Sequence, residues 1–270
     1  MGKINIEKKE YSGIPAGLKD NLKRLGVKLS GTVEFIELSS WNAGAGIVPQ
    51  EEIVLVSFSG NNFISINESK AKSLTLIAHS DTKDSVLNLV SSVPINRIVF
   101  LPAGSVALNW MCRNVGQCEI KSESQKQSQA RISISSIFSS DSEFHIDSFH
   151  HEMSSFKLSL DSVNYAESKV RAKAIIPENT PGVLCEISLF SMLENGSVEL
   201  SPFIEISNND VKASHSALAR GYDKAELFYL CSKGLSEEEA RLLIRKNILL
   251  RNLPAEGFEH HLEGRENELN

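Results

Sequence analysis

Long apolar runs are absent from this chain. No eighteen consecutive apolar residues occur, so no transmembrane helix is predicted. An excess of positive charge is absent too. There are 28 Lys and Arg against 34 Asp and Glu, for a net charge of −6 and a pI near 5.7, which argues against nucleic-acid binding. Cysteine is sparse: Cys112, Cys118, Cys185 and Cys231 are scattered without a C-x-x-C pair. That excludes a zinc framework and points to a reducing, cytoplasmic compartment. The N-terminus MGKINIEKKEY has no apolar core of a secretory signal, and Ile6 stands where a myristoylation signal needs Ser or Thr. No P-loop, G-x-G-x-x-G or G-x-S-x-G run exists, and Gly44-Ala45-Gly46 lacks the Lys and following helix of a phosphate cradle.

What is present divides into three parts, 1–30, 31–208 and 209–270. Residues 11–29 carry Leu18, Leu22 and Leu25 at helical spacing, with Pro15 suited to the first turn and Gly26 to the stop. From Gly31 to Ile206 short alternating apolar runs recur about every ten residues. They include Ile53–Phe58, Phe63–Ile66, Leu74–Ala78, Val86–Val90, Arg97–Leu101 and Ser105–Trp110. Arg131–Phe138, Glu143–Asp147, Phe156–Leu160, Lys169–Ile176 and Val183–Phe190 follow. No helix-length pattern interrupts them, which excludes a doubly wound α/β fold and leaves a sandwich, a barrel or a solenoid. No strict short repeat decides among these. The run 121–129, KSESQKQSQ, is expected to be a solvated turn, and the many serines of Ser128–Ser162 to lie outward or in turns.

The stretch Ser201–Leu249 carries the sharpest local signals. Phe203–Ile206 alternates as a strand, and Asn208-Asn209-Asp210 is a turn cluster. A short segment presents Ser214-His215-Ser216. After a second turn, Asp223 is placed to cap a helix Lys224–Lys233, which Gly234 ends. Ser236 and Glu239 form a capping box for a helix from Glu237 to about Leu250. The run DVKASH…LFYL.SKGLSEEEARLLI resembles the C-terminal signature of the SUF-system SufB/SufD family, which builds iron–sulfur clusters with the ABC-type ATPase SufC. The resemblance implies a mainly β fold, a right-handed parallel β-helix with short N-terminal and C-terminal helical segments. The apolar clusters of the C-terminal helices are expected to pack on the solenoid end and cap its exposed edge. It implies a non-enzymatic, SufD-like scaffold with no tightly bound cofactor, handling iron or a cluster only transiently at an interface. The partners it implies are a SufC-type ATPase and a SufB-like chain or a second copy, with no nucleic acid and no membrane.

His215 matches the family's Ser-His run and is the leading candidate, since an imidazole ligates iron and moves protons near neutral pH. Ala213 stands where the family often has Cys, and Ser216 and Leu218 replace its Gly and Thr. Cys185 is the second and weaker candidate ligand, in the apolar context Val183-Leu184-Cys185 of a core residue. Cys112 and Cys118 flank a polar turn where they would be exposed, while Cys231 belongs to a packed helix face. The resemblance assigns ATPase docking to the C-terminal helices through Leu227, Phe228, Leu230 and Leu243. His150 and His151 point to opposite strand faces and make no joint metal site. His260 and His261 are expected in a solvated, disordered tail. The other class of function is a cytosolic β-helix enzyme acting on a polysaccharide, which needs clustered carboxylates such as Asp141, Glu143 and Asp147.

Overall fold

The computed structural model describes residues 4–10, 16–27, 32–39, 42–80, 82, 84–113 and 115–263. Its strands begin with β1 (Ile4–Glu10), β2 (Thr32–Ser39), β3 (Asn42–Gly46), β4 (Ile53–Ser59), β5 (Asn61–Ile66) and β6 (Thr75–Ser80). Then come β7 (Ser85–Ser91), β8 (Arg97–Pro102), β9 (Ser105–Arg113), β10 (Gln117–Ser124), β11 (Gln129–Phe138) and β12 (Ser142–His150). The last are β13 (Ser155–Asn164), β14 (Glu167–Ile176), β15 (Val183–Leu193), β16 (Ser197–Ile206) and β17 (Val211–Arg220). The helices are α1 (Ala16–Arg24), α2 (Lys224–Ser232), α3 (Glu237–Leu250) and α4 (Ala255–Glu263).

From β2 onward, even-numbered strands stack in one sheet and odd-numbered strands in the other. The chain is a parallel β-solenoid: each turn adds one strand to each sheet. β1 is the exception, pairing antiparallel with β2 at the start of the even sheet. Parallel pairing in fixed register forces like positions into columns. In the even sheet Val54, Leu76, Ile98, Ile120, Ile146 and Ala172 stack on the inner face, all buried. In the odd sheet the column is Leu87, Leu108, Ile132, Leu158 and Ile187. Each such aliphatic side chain contributes about 1.5–3 kcal/mol on burial. Trp110, Phe138 and Phe144 fill the space between the sheets, with ring centroids 5.7–5.8 Å apart.

Every strand run expected from alternation is a strand. The differences lie where inner positions are polar or small. Residues 121–124 belong to β10, so the expected turn shrinks to the few residues before β11. Ser122, Ser136, Ser148 and Ser162 face inward rather than outward. Ser136, Ser162 and Ser191 continue the column of Cys112, and the Ser162 and Ser191 hydroxyls lie 2.9 Å apart. Cys112 and Cys118 are both buried inside the solenoid, not exposed. Strands also extend past the expected boundary at 208, as β17 runs to Arg220.

α1 lies against the outer face of the even sheet, with Leu18, Leu22 and Leu25 on Ile53, Leu55, Ile77 and Val99. Gly26 (φ +68°) takes the left-handed conformation that stops the helix. Lys121 Nζ donates to the Leu25 carbonyl at 2.9 Å, satisfying a group the helix end leaves open. Pro15 lies outside the described residues.

His150 and His151 do diverge. His151 reaches Glu123 at 2.8 Å, whereas His150 is buried at the end of β12, its Nε2 3.0 Å from Ser148 Oγ and its ring 4.9 Å from that of Phe156. Burial depresses the His150 pKa to about 4, with the nearby His151 acting in the same direction. The folded protein therefore holds a neutral ring, while unfolded chains take up a proton near the ordinary value of 6.5. This contribution is whole above pH 6.5 and is lost as pH falls towards 4. Urea unfolding should show His150→Leu losing about 3 kcal/mol less than the parent between pH 7 and pH 4. Equal losses in the two proteins would mean that His150 is not the titrating group.

Candidate functional site at the open end of the solenoid

β16 and β17 form the last rung, and among the described residues each has a strand neighbour on one side only. Their free edges carry backbone N–H and C=O groups with no ladder partner. By register, Leu200, Pro202, Ile204 and Ile206 follow the inner column residues Val170, Ala172, Ala174 and Ile176 of β14. Val211, Ala213, His215 and Ala217 follow Val183, Cys185, Ile187 and Leu189 of β15. The β14 and β15 residues are buried, but those of the last rung are half-buried or exposed, with Ile206 at 47%. Among the described residues, the apolar cross-section of the core is uncovered here.

The expected end cap is not made by the C-terminal helices. They lie on the side of the solenoid, over the outer face of the odd sheet. That face carries an apolar stripe with one or two residues per strand: Val90, Met111, Ile137, Val163, Phe190 and Met192. Ile244, Ile248 and Leu249 of α3 and Phe258 of α4 pack on it. Polar anchors fix the seat. Arg245 Nη1 donates to Glu194 at 2.7 Å and to the Tyr222 hydroxyl at 2.9 Å, and Tyr222 donates to Glu194. Ser135 Oγ donates to the Leu249 carbonyl at 2.5 Å. Asp161, whose carboxyl burial pushes above the usual range, is held by Asn252 and Arg251. Helix starts follow the sequence expectations. Asp223 caps α2 by accepting from the Ala225 N–H, and Ser236 with Glu239 forms the capping box of α3.

His215 is thus the final member of the column Leu87–Leu108–Ile132–Leu158–Ile187, where the five preceding rungs carry Leu or Ile and Asn62 stands before Leu87. It faces the open end and is exposed. Cys185 shares that inward face one rung below, opposite Ala213. It is a buried core thiol whose pKa burial pushes up to about 12, a poor state for a ligand. No group of three or more His, Cys, Asp or Glu among the described residues could hold a metal ion. The structure therefore brings one of the two candidate donors to a surface and leaves the other in the core.

The four docking candidates separate. Phe228 (77% exposed) and Leu243 (48%) face outward, as does Tyr229 (59%). Leu227 and Leu230 instead pack towards the α3 cluster. His260 and His261 belong to α4, and the His261 ring stacks 5.5 Å from Phe63, so they are placed rather than left in a tail. Of the carboxylates a hydrolase would need, Asp141 and Glu143 line one shallow depression with Glu167 and Lys169, and Asp147 does not join them. Glu143 is held by His145 at 2.9 Å and lies 3.8 Å from Arg171, and the His145 hydrogen bond lowers its pKa first of all.

Over residues 191–247 the chain matches the family model described as SUF system FeS cluster assembly, SufBD core domain. That SufBD stretch takes in the end of β15, all of β16, β17 and α2, and most of α3. It therefore contains the open rung, His215 and the exposed residues of α2 and α3. A SufBD core domain implies a role in SUF iron–sulfur cluster assembly within the SUF complex, and family members are generally non-catalytic scaffold components. No curated protein matches the chain. No helix among the described residues is long and apolar enough to cross a membrane. Sequence reasoning missed β17 as a strand of the SufBD segment. The alternation of Val211, Ala213, His215, Ala217 and Ala219 was the available signal.

Arg245 and Glu194 are nearly buried, with side chains 6% and 10% exposed. Arg245→Met strands the Glu194 carboxylate and should cost about 3–5 kcal/mol in urea unfolding. Adding Glu194→Gln should restore much of that loss. If the double variant is no better than the single one, the ion pair is not the anchor.

Proposed function

We propose that this chain is a SufD-like, non-enzymatic scaffold subunit of an iron–sulfur cluster assembly complex. The observation that carries the reading is the uncovered apolar end of the solenoid within the matched stretch. An exposed core cross-section with two free strand edges calls for a mating surface. The partner is a SufB-like chain or a second copy, joined end to end. His215 then becomes enclosed at the interface. The cluster is cargo, and His215 offers it one imidazole. Thiolates come from the partner, because Cys185 is buried and protonated. The second surface is the outer side of α2 and α3, where Phe228, Tyr229 and Leu243 form an apolar patch for a SufC-type ABC ATPase. The site supports a polysaccharide-active enzyme poorly, because Glu143 is held among cations.

Three measurements test these assignments. Ile206→Lys places a charge in the open end without touching the closed core. It should weaken end-to-end pairing about tenfold or more in sedimentation velocity with a SufB-like partner, and equally for self-association. Pairing at parental strength would remove the end from the interface. Phe228→Glu with Leu243→Glu should weaken ATPase capture by about tenfold while circular dichroism stays unchanged. Undiminished capture by the folded variant moves docking elsewhere. His215→Ala should leave pairing and ATPase capture intact but slow anaerobic cluster reconstitution several-fold, followed by visible absorbance. Reconstitution as fast and as full as in the parent would make His215 structural.

A further inference from the structure

A cleft of about 870 Å³ runs along the outer face of the odd sheet, beside the seat of α3. β5, β7, β9, β11 and β13 form its base, and the segment from Arg251 to His261 overhangs it. Register organises the base into two rows. One is Asn88, Asn109, Ser133 and Ser159, and the other is Val86, Ala107, Arg131 and Lys157.

The charged side chains that line this cleft are cationic, and two of them pair with carboxylates just outside it. Arg131, Lys157 and Arg251 line it together with His260 and His261, and no Asp or Glu lines it among the described residues. This occurs in a chain whose net charge is −6. Lys157 shares Glu186 at 3.0 Å, and Arg251 shares the buried Asp161. Arg131 is exposed and makes no ion pair among the described residues. A shallower depression of about 650 Å³ continues past Arg131 and Lys157, and there Asp84 and Glu186 restore negative charge. The cationic section is therefore the inner cleft.

The base is built for hydrogen bonding. Ser133 and Ser159 are only 1% and 3% exposed, yet they line the cleft and their hydroxyls have no partner among the described residues. Asn109 Nδ2 donates to Asn88 at 2.9 Å, and Asn88 Nδ2 to Asn61 at 2.8 Å, so the amide row is held rigid. Both hydroxyls open onto the cleft, where they can donate to or accept from a molecule seated in it.

We propose that this cleft binds a phosphate ester of a small polyhydroxylated molecule. Arg131 and Lys157 stand on neighbouring rungs, about 4.8 Å apart along the ladder. A guanidinium fork beside an ammonium suits a compact dianion with three oxygens. The hydroxyls of the ester lie on Ser133, Ser159 and Asn109. A sugar phosphate and a nucleoside monophosphate share this chemistry. The site is independent of the open end and of the α2–α3 patch, so its failure would leave the scaffold reading untouched.

Isothermal titration of the full chain with inorganic phosphate, a hexose 6-phosphate and a nucleoside monophosphate tests it. At least one ester should bind about tenfold or more tightly than inorganic phosphate, and which one binds identifies the source. Arg131→Gln with Lys157→Gln should weaken the ester about tenfold or more while the dichroism spectrum and thermal midpoint hold. Ser133→Ala with Ser159→Ala should weaken the ester but not inorganic phosphate. Absence of binding by both esters at about 10 mM, or parental ester affinity in the Arg131/Lys157 variant, overturns the proposal.

Discussion

Parallel register is the constraint on which everything else here depends. In a parallel ladder each residue sits over its counterpart on the next strand, facing the same way. A position that is inward once is inward on every rung, so Leu87 dictates the environment of Leu108, Ile132, Leu158 and Ile187. A slip of one residue on any strand would turn its whole apolar row outward. Each rung is also completed only by its neighbours. At its start the even sheet is supported by the antiparallel β1. At the other end no further rung follows among the described residues, and the column ends on His215.

The placement of α3 follows from the same register on the other face. Val90, Met111, Ile137, Val163, Phe190 and Met192 accumulate into an apolar strip because successive strands present them side by side. A helix with Ile244, Ile248 and Leu249 on one face buries more against that strip than against an end only one rung wide. Burial alone would let the helix slide along the strip. The Glu194–Tyr222–Arg245 group and the Asp161 pairings are directional, and they fix its position and angle. Seating α3 on the side leaves the last rung free for another chain. It also leaves the outward side of α2 unburied.

Much of this was legible in the sequence where the signal is local. Alternation located the strands with Leu, Ile, Val or Phe on their inner face, and the Asp223 cap and the Ser236–Glu239 box located two helix starts. β10 and β17 were hidden because their inner positions are mostly small or polar: Cys118, Ser122 and Ser124 around Ile120 in one, Ala213, His215 and Ala217 after Val211 in the other. The turn period was hidden for a different reason. Ladder partners lie 22 residues apart from Val54 to Leu76, 26 from Ile120 to Ile146, and 30 from Ala172 to Pro202. The strands lengthen along the chain, from 7 and 6 residues in β4 and β5 to 10 and 11 in β14 and β15, so no fixed repeat exists to detect. The strip that seats α3 draws on many separate strands, and no sequence window contains it. For that reason the side seat was mistaken for an end cap. His215 was found by resemblance, but its place after five successive aliphatic rungs is a fact of register.

That place bears on what kind of partner suits the open end. Closing the end buries an imidazole among Leu200, Ile204, Val211 and Ala217. A buried polar ring without a hydrogen-bond or metal partner costs about 1–3 kcal/mol, enough to offset the burial of one aliphatic side chain. An entirely apolar mate would therefore discard part of what the exposed core offers. A second copy joined by a twofold axis brings positions near that axis against themselves. Were His215 near that axis, the contribution there would be another imidazole, which becomes a good partner only if one ring donates and the other accepts. A different chain is not bound by that symmetry and can set a carboxylate, or thiolates carrying a cluster, against His215. The polar residue that ends an aliphatic column is then the one that sets what chemistry a mating surface must bring.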